Sequence, residues 1–191
     1  EFSKKKLIKD TKFYLNQAVK RQLISDAPIG AFLSGGLDSS SIVALAKEQK
    51  KDLDCFTIEI AGQSTQEMTV DLPYAEKVAR YLDLNLDVIS INPKKISDDF
   101  IEMIKRLDEP LSDPAAFHTQ YICSLAKKRG MKVLLSGIGG DDLFTGYRRH
   151  QAINYEKYLT YFPKKSLKFL ENISKRLNHK YSINRKISKF F

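Results

Sequence analysis

Between residues 4 and 25 the apolar positions Leu7, Ile8, Leu15, Val19 and Leu23 recur at mostly helical spacing with polar residues between them, which predicts an amphipathic opening helix. Pro28 closes that segment. Residues 29–33 form a short apolar run leading into Ser34-Gly35-Gly36, the pattern of a buried strand that delivers a glycine-rich turn. Residues 38–50 then carry Ile42, Val43, Leu45 and Ala46 on one side of a helix whose first turn holds Asp and Ser as capping residues. The unit is strand, tight loop, helix.

The alternation repeats along the chain. Residues 55–60, rich in β-branched and aromatic side chains, predict a second strand; 62–71 is polar and loop-like; 73–82 predicts a helix with proline at its start. Residues 86–91 read as a third strand, 93–107 and 116–129 as helices, and Gly130 as the stop before a fourth strand at 131–135. Strands that alternate with helices pair in parallel through right-handed crossovers. The expected fold class is therefore α/β, a doubly wound, mostly parallel sheet with helices on both faces. The chain divides into a leading helix over 1–26, a core over 27–150 and a basic helical extension over 151–191 interrupted by Pro163.

Composition narrows the class. With 191 residues, 42% hydrophobic and 29% charged, the chain has the size of one ordinary domain with a real core. No run approaches the roughly 18 apolar residues of a membrane span, and no apolar signal segment follows the first lysines, so a soluble cytoplasmic protein without a membrane partner is expected. Cys55 and Cys123 are too few for a disulfide framework and lack clustered partners for zinc; both read as buried thiols in a reducing compartment. His118, His150 and His179 are scattered, without metal-ligand spacing. The net charge of +9 is uneven: from Arg148 onward 12 Lys and Arg face Glu156 and Glu171, whereas the rest of the chain holds 20 basic and 21 acidic residues. We read the basic extension as a solvated helix face, in preference to a grip on nucleic acid phosphates.

The candidate chemistry lies after the first predicted strand, in Ser34-Gly35-Gly36-Leu37-Asp38-Ser39-Ser40. In open α/β sheets ligands sit outside the carboxyl ends of the strands. Adjacent glycines let backbone N–H groups approach an anion, the serines add donors, and the following helix directs its positive end at the same spot. Asp38 would repel bare phosphate, so its place in the loop suggests a bridging Mg²⁺. The lysine of a Walker loop is absent, and the three-glycine dinucleotide fingerprint is broken by Asp142 after Gly137 and Gly139. A second loop, Ser136-Gly137-Ile138-Gly139-Gly140-Asp141-Asp142-Leu143-Phe144-Thr145-Gly146-Tyr147, again joins glycines to carboxylates at a strand end.

Ser34-Gly35-Gly36-Leu37-Asp38-Ser39 resembles the pyrophosphate loop of the ATP-pyrophosphatase superfamily, and the two loops with Leu107-Asp108-Glu109-Pro110-Leu111 between them resemble the synthetase domain of glutamine-dependent asparagine synthetases. The resemblance covers about residues 27–150 and implies an adenine nucleotide alpha hydrolase-like fold. It implies that Ser34, Gly35, Gly36, Asp38, Ser39 and Ser40 bind the pyrophosphate of ATP, that Leu33, Ile58, Ser136 and Gly137 contact the nucleotide, and that Asp38 and Asp141 hold Mg²⁺. Asp142 is the candidate catalytic carboxylate. The implied reaction is adenylation of a small carboxylate substrate, aspartate first and a sugar acid second, followed by attack of ammonia. The implied partner is a glutaminase domain, and the family pattern allows a homodimer.

The chain departs from that pattern at Ile138, where the family usually carries glutamate, at Asp142 in place of glutamate, and at Thr145 in place of glycine. Isoleucine neither accepts a proton nor pairs an ammonium, which bears directly on aspartate as acceptor. Thr145 costs mainly backbone freedom. Against the family pattern the chain also reads as a fragment that lacks the glutaminase domain. Two other classes stay open at this stage: a tRNA-modifying enzyme of the same superfamily that uses the basic extension, and a non-catalytic nucleotide-binding domain.

Overall fold

The structure is a computed structural model that describes residues 3–61, 71–109, 111, 113–147, 150 and 153. The loop read over 62–71 falls outside the described residues apart from Asp71, and the basic extension over 151–191 apart from Ile153. Four strands alternate with six helices among the described residues. In chain order they are α1 (Lys4–Gln22), β1 (Ile29–Phe32), α2 (Leu37–Gln49), β2 (Asp54–Ile60), α3 (Leu72–Leu82), β3 (Asn85–Ile91), α4 (Pro93–Ile104), α5 (Ala115–Lys128), β4 (Val133–Leu135) and α6 (Gly140–Leu143). The chain divides into two compact units, Glu1–Ile138 and Gly139–Phe191.

The first unit holds the sheet. Its four strands are all parallel in the order β3-β2-β1-β4, with Ala31 beside both Cys55 and Leu135, and Ile58 beside Ile89. Side chains alternate across it, as strand geometry requires. Ile29, Ala31, Cys55 and Leu135 face one side, where α1, α2 and α3 supply Val19, Val43, Ala46, Ala75 and Ala79. Phe32, Phe56, Ile58 and Leu134 face the other, against Ile122 and Ala126 of α5. This is the doubly wound α/β class expected from the alternating pattern. On the second face Gly30 leaves room for an aromatic ring: a Cβ there would lie 2.7 Å from Phe56 Cε2.

The boundaries differ from the sequence reading where backbone groups are used elsewhere. β4 begins at Val133 rather than 131, because the N–H of Met131 donates to the Ala126 carbonyl (3.0 Å) and that of Lys132 to the Pro28 carbonyl (3.0 Å). α4 stops at Ile104, followed by two tighter turns in which Arg106 N–H donates to Met103 and Leu107 N–H to Ile104. α2 is capped by Gly36, with no side-chain cap bond, rather than by the Asp and Ser of its first turn. Cys55 is buried but Cys123 is exposed, correcting the expectation of two buried thiols. The inward side of α5 is set by Tyr121, Ile122 and Ala126, which leaves position 123 outside. Among the described residues no helix is long and apolar enough to cross a membrane.

The second unit, taken by itself, contains the single turn α6. Behind it Gly146 N–H donates to the Asp141 carbonyl (2.9 Å), and the Asp141 carboxylate occupies the space a Cβ on Gly146 would need. Thr145 adopts φ +58°, the left-handed region that β-branched residues rarely enter.

Candidate functional site

The order β3-β2-β1-β4 fixes where a ligand crevice opens. From β1 the chain winds outward through β2 to β3, then returns past α4 and α5 to place β4 on the other side of β1. The strand order reverses between β1 and β4, and at such a switch point the loops leaving the carboxyl ends diverge. The loops concerned are 33–36, before α2, and 136–138, after β4.

The first loop is held by its own hydroxyls. Ser39 Oγ accepts from the N–H of Ser34 (3.3 Å), contacts Ser34 Oγ at 3.0 Å and donates to the Gly36 carbonyl (3.3 Å). Gly36 N–H in turn donates to Ser34 Oγ (3.3 Å). Ser34 donating to Ser39 satisfies every bond in this set at once, so the turn is pre-formed. Gly35 adopts φ +78°, and a Cβ on it would collide with the backbone of Tyr74 and Ala75. The turn is thereby seated against the first turn of α3, a partner that lies far along the chain and leaves no signal in local sequence. Asp71, just before α3, was also missed; crowding by neighbouring atoms raises its carboxyl pKa, against a lowering by the charge of His118.

The second loop docks on the first. A Cβ on Gly137 would lie 2.7 Å from the Ser39 nitrogen and 2.8 Å from the Asp38 carbonyl carbon, so the two backbones meet where only glycine fits. Ser136 Oγ accepts from Ile138 N–H (3.2 Å) and fixes the turn that follows. The structure thus brings Ser34, Gly35, Gly36, Asp38, Ser39, Ser136 and Gly137 together in one unit. Leu33 and Ile58 are placed on the sheet beneath. Leu33 is buried in the core under α2, with its N–H donating to the Phe56 carbonyl (3.0 Å), and Ile58 is half-buried on the α5 face. Asp141 and Asp142 belong to the second unit, where both are exposed. Among the described residues no group of three His, Cys, Asp or Glu is placed to hold a metal.

Ser40 tests whether the loop suits a phosphate group. Its Oγ is buried and has no hydrogen-bond partner, in the first turn of α2 where the helix dipole is positive. An anion oxygen would satisfy that hydroxyl. Gly36 adds to the fit, since a Cβ there meets only Ser34 Oγ at 3.4 Å and the backbone stays open to approach. Half-buried Asp38, on the same turn, offers the hard carboxylate oxygen that Mg²⁺ prefers. A separate open groove of about 560 Å³, lined by Glu76, Arg80, Asp83, Leu86 and Val88 among others, runs along the free edge of β3 near its amino end, away from these loops.

A doubly wound α/β domain with two glycine-rich loops meeting at its switch point is the class defined by this geometry. The sequence pattern of the family described as Asparagine synthase matches residues 11–190, and the chain belongs to that family. Asparagine synthetase [glutamine-hydrolyzing] 1 of Bacillus subtilis is 36% identical over 142 residues, which are 74% of this chain and 22% of that protein. Asparagine synthetase [glutamine-hydrolyzing] 3 of the same organism is 31% identical over 183 residues, 88% of this chain and 30% of that protein. The chain therefore spans less than a third of the length of either relative. Among solved structures, an NH3-dependent NAD synthetase from Campylobacter jejuni superposes with a TM-score of 0.44 and 16% identity, over 98% of this chain and 94% of that one.

Proposed function

We propose that this domain carries out the ATP-dependent half of an amide synthesis. A carboxylate oxygen of the acceptor attacks the α-phosphorus of ATP, the new O–P bond forms as the bond to the β-phosphate oxygen breaks, and pyrophosphate leaves. Ammonia then attacks the acyl carbon, AMP departs with the bonding pair, and the nitrogen loses a proton to give the amide. Aspartate is the reference acceptor, and glutamine the reference source of ammonia through a separate glutaminase domain; both rest on the family and on the names of the relatives.

In this reading the loop 34–40 receives the departing pyrophosphate. Backbone N–H groups at the start of α2 and the Ser40 hydroxyl donate to its oxygens, and the helix dipole offsets its charge. Asp38 and Asp141 hold Mg²⁺, which when bound neutralises phosphate charge that grows in the transition state. Ser136 and Gly137, with Leu33 and Ile58 below, hold the nucleotide, and Asp142 is the candidate proton-handling carboxylate. Two reactant anions must be kept in contact, so positioning supplies much of the rate. The observation that carries the proposal is the buried, unpartnered Ser40 hydroxyl beside the Gly137 contact.

The test is Mg²⁺-dependent exchange of labelled pyrophosphate into ATP by the complete natural protein, in the presence of aspartate and a panel of other carboxylates. Carboxylate-dependent exchange is expected. ATP binding without exchange under any carboxylate would reject the proposal in favour of a non-catalytic nucleotide-binding domain.

A further inference from the structure

Of the residues in the two loops at the switch point, Leu37 and Ile138 are the aliphatic ones beyond the buried strand end, and both are exposed, at 83% and 91%. Each is the chain neighbour of a residue in the tightest contact of the site. Leu37 precedes Asp38, and Ile138 follows Gly137, whose Cβ position lies 2.8 Å from the Asp38 carbonyl carbon. That contact puts their backbones in one rigid frame. The Ile138 N–H is already committed to Ser136 Oγ, so the residue presents a reactant with hydrocarbon at the carboxyl end of β4.

We infer that Ile138 is a specificity-determining residue, and that the acceptor is a carboxylic acid bearing an aliphatic or aromatic substituent where aspartate bears its ammonium. The inference rests on the adenylation reading above. A charged ammonium brought against an isoleucine side chain would lose water without gaining a hydrogen bond or an opposite charge. A hydrocarbon substituent in the same place is taken out of water against Ile138, with Leu37 on the adjoining loop widening the apolar surface. The phosphate-directed groups, Ser34, Asp38 and Ser40, are untouched by this choice, so nucleotide binding and acceptor choice are carried by different side chains.

The experiment is the pyrophosphate exchange assay with three acceptor probes, L-aspartate, 4-methylpentanoate and 3-phenylpropanoate, in the complete natural protein and in its Ile138→Ala and Ile138→Glu variants. The apolar probes are expected to exceed aspartate by about 10-fold or more in kcat/KM, in keeping with the value of one or two buried methylenes. Ile138→Ala should lower that preference roughly 10-fold, mainly through KM for the acceptor, and Ile138→Glu should shift it toward aspartate, both with KM for ATP unchanged. Because Ile138 is almost fully exposed, both variants fold, and matching thermal melts verify it. Preference for aspartate, or a preference that Ile138→Ala leaves unaltered because other parts of the protein cover the residue, overturns the inference while leaving adenylation standing. Exchange with no carboxylate at all overturns the adenylation reading and the inference with it.

Discussion

Gly137 rests directly on the backbone of Ser39, with the position of its missing Cβ only 2.7 Å from the Ser39 nitrogen. The loop after β4 is therefore keyed to the first turn of α2 by the absence of a side chain. Gly137→Ala has to part the two loops, because backbone atoms cannot give way as a flexible side chain would. We expect a loss of about 1–3 kcal/mol in stability by urea denaturation, as for overpacking elsewhere. Gly36→Ala is the contrast: it meets only Ser34 Oγ at 3.4 Å, its φ of −68° suits alanine, and it should cost less than about 1 kcal/mol. Equal losses in the two variants would show that the close approach is not real.

Asp38→Asn separates charge from shape. The side chain stays half-buried on the first turn of α2, so the fold loses only a favourable charge–dipole interaction, about 0.3–1 kcal/mol. A metal-holding charge is lost as well, and Mg²⁺-dependent pyrophosphate exchange should fall by about a hundredfold or more. Exchange at the parent rate in this variant would remove Asp38 from the site.

Gly30 and Phe56 form the second keyed pair, on the α5 face of the sheet. A Cβ at Gly30 would lie 2.7 Å from Phe56 Cε2 and 2.9 Å from the Asp54 carbonyl oxygen. Gly30→Ala should cost about 1–3 kcal/mol, and Phe56→Ala, which empties a fully buried site, about 3–5 kcal/mol. Trimming the ring as Phe56→Leu should relieve part of the Gly30→Ala penalty, so the double variant costs less than the sum of the singles. The Asp54 carbonyl does not move, so the relief is incomplete. Strict additivity in a double-mutant cycle would contradict this packing.

These two glycines mark where the sequence stopped being legible. All nine elements up to β4 follow from apolar spacing, Pro and Gly punctuation and β-branched runs, because those signals are local. The loop 34–40 was legible for the same reason. The order β3-β2-β1-β4 was not, since alternation implies parallel pairing without saying which strand returns beside β1. Nor was the seating of Gly35 on Tyr74 and Ala75, or the slot that Gly30 leaves for Phe56. Each depends on partners more than 20 residues away, and a glycine looks the same in sequence whether it supplies a turn or an empty space. The start of β4 was misjudged because Met131 and Lys132 spend their N–H groups on Ala126 and Pro28 rather than on the sheet.

Thr145 carries a backbone cost that the sequence anticipated. Its φ of +58° lies in the left-handed region, where a β-branched residue is strained by roughly 1–2 kcal/mol. Thr145→Gly removes the strain but loosens the unfolded chain, and the balance should be a gain of about 1 kcal/mol or less. Thermal denaturation measures it, and a clear loss of stability would mean that the threonine side chain makes contacts worth more than its strain.

The two thiols predict an alkaline limb to the stability curve. Cys55 is fully buried on the face of the sheet that packs α2, and burial, reinforced by the charge of Asp54 and opposed by that of Lys47, pushes its pKa from the ordinary 9.0 up to about 12. Above pH 9 the unfolded chain loses this proton while the folded one keeps it, so the folded state binds more protons and stability falls as pH rises. The decline should run from pH 9 toward 12, and Cys55→Ala should flatten it even as the lost sulfur lowers stability at neutral pH. Lysines and tyrosines titrate in the same window, so the difference between parent and variant is the quantity to follow. Reactivity gives an independent reading. Exposed Cys123, whose pKa is also raised by surrounding atoms, should react with a thiol reagent at pH 8 in the native protein, though more slowly than a free thiol. Cys55 should react only after denaturation. Labelling of both thiols at similar rates under native conditions would show that β2 opens far more readily than its place at the centre of the sheet implies.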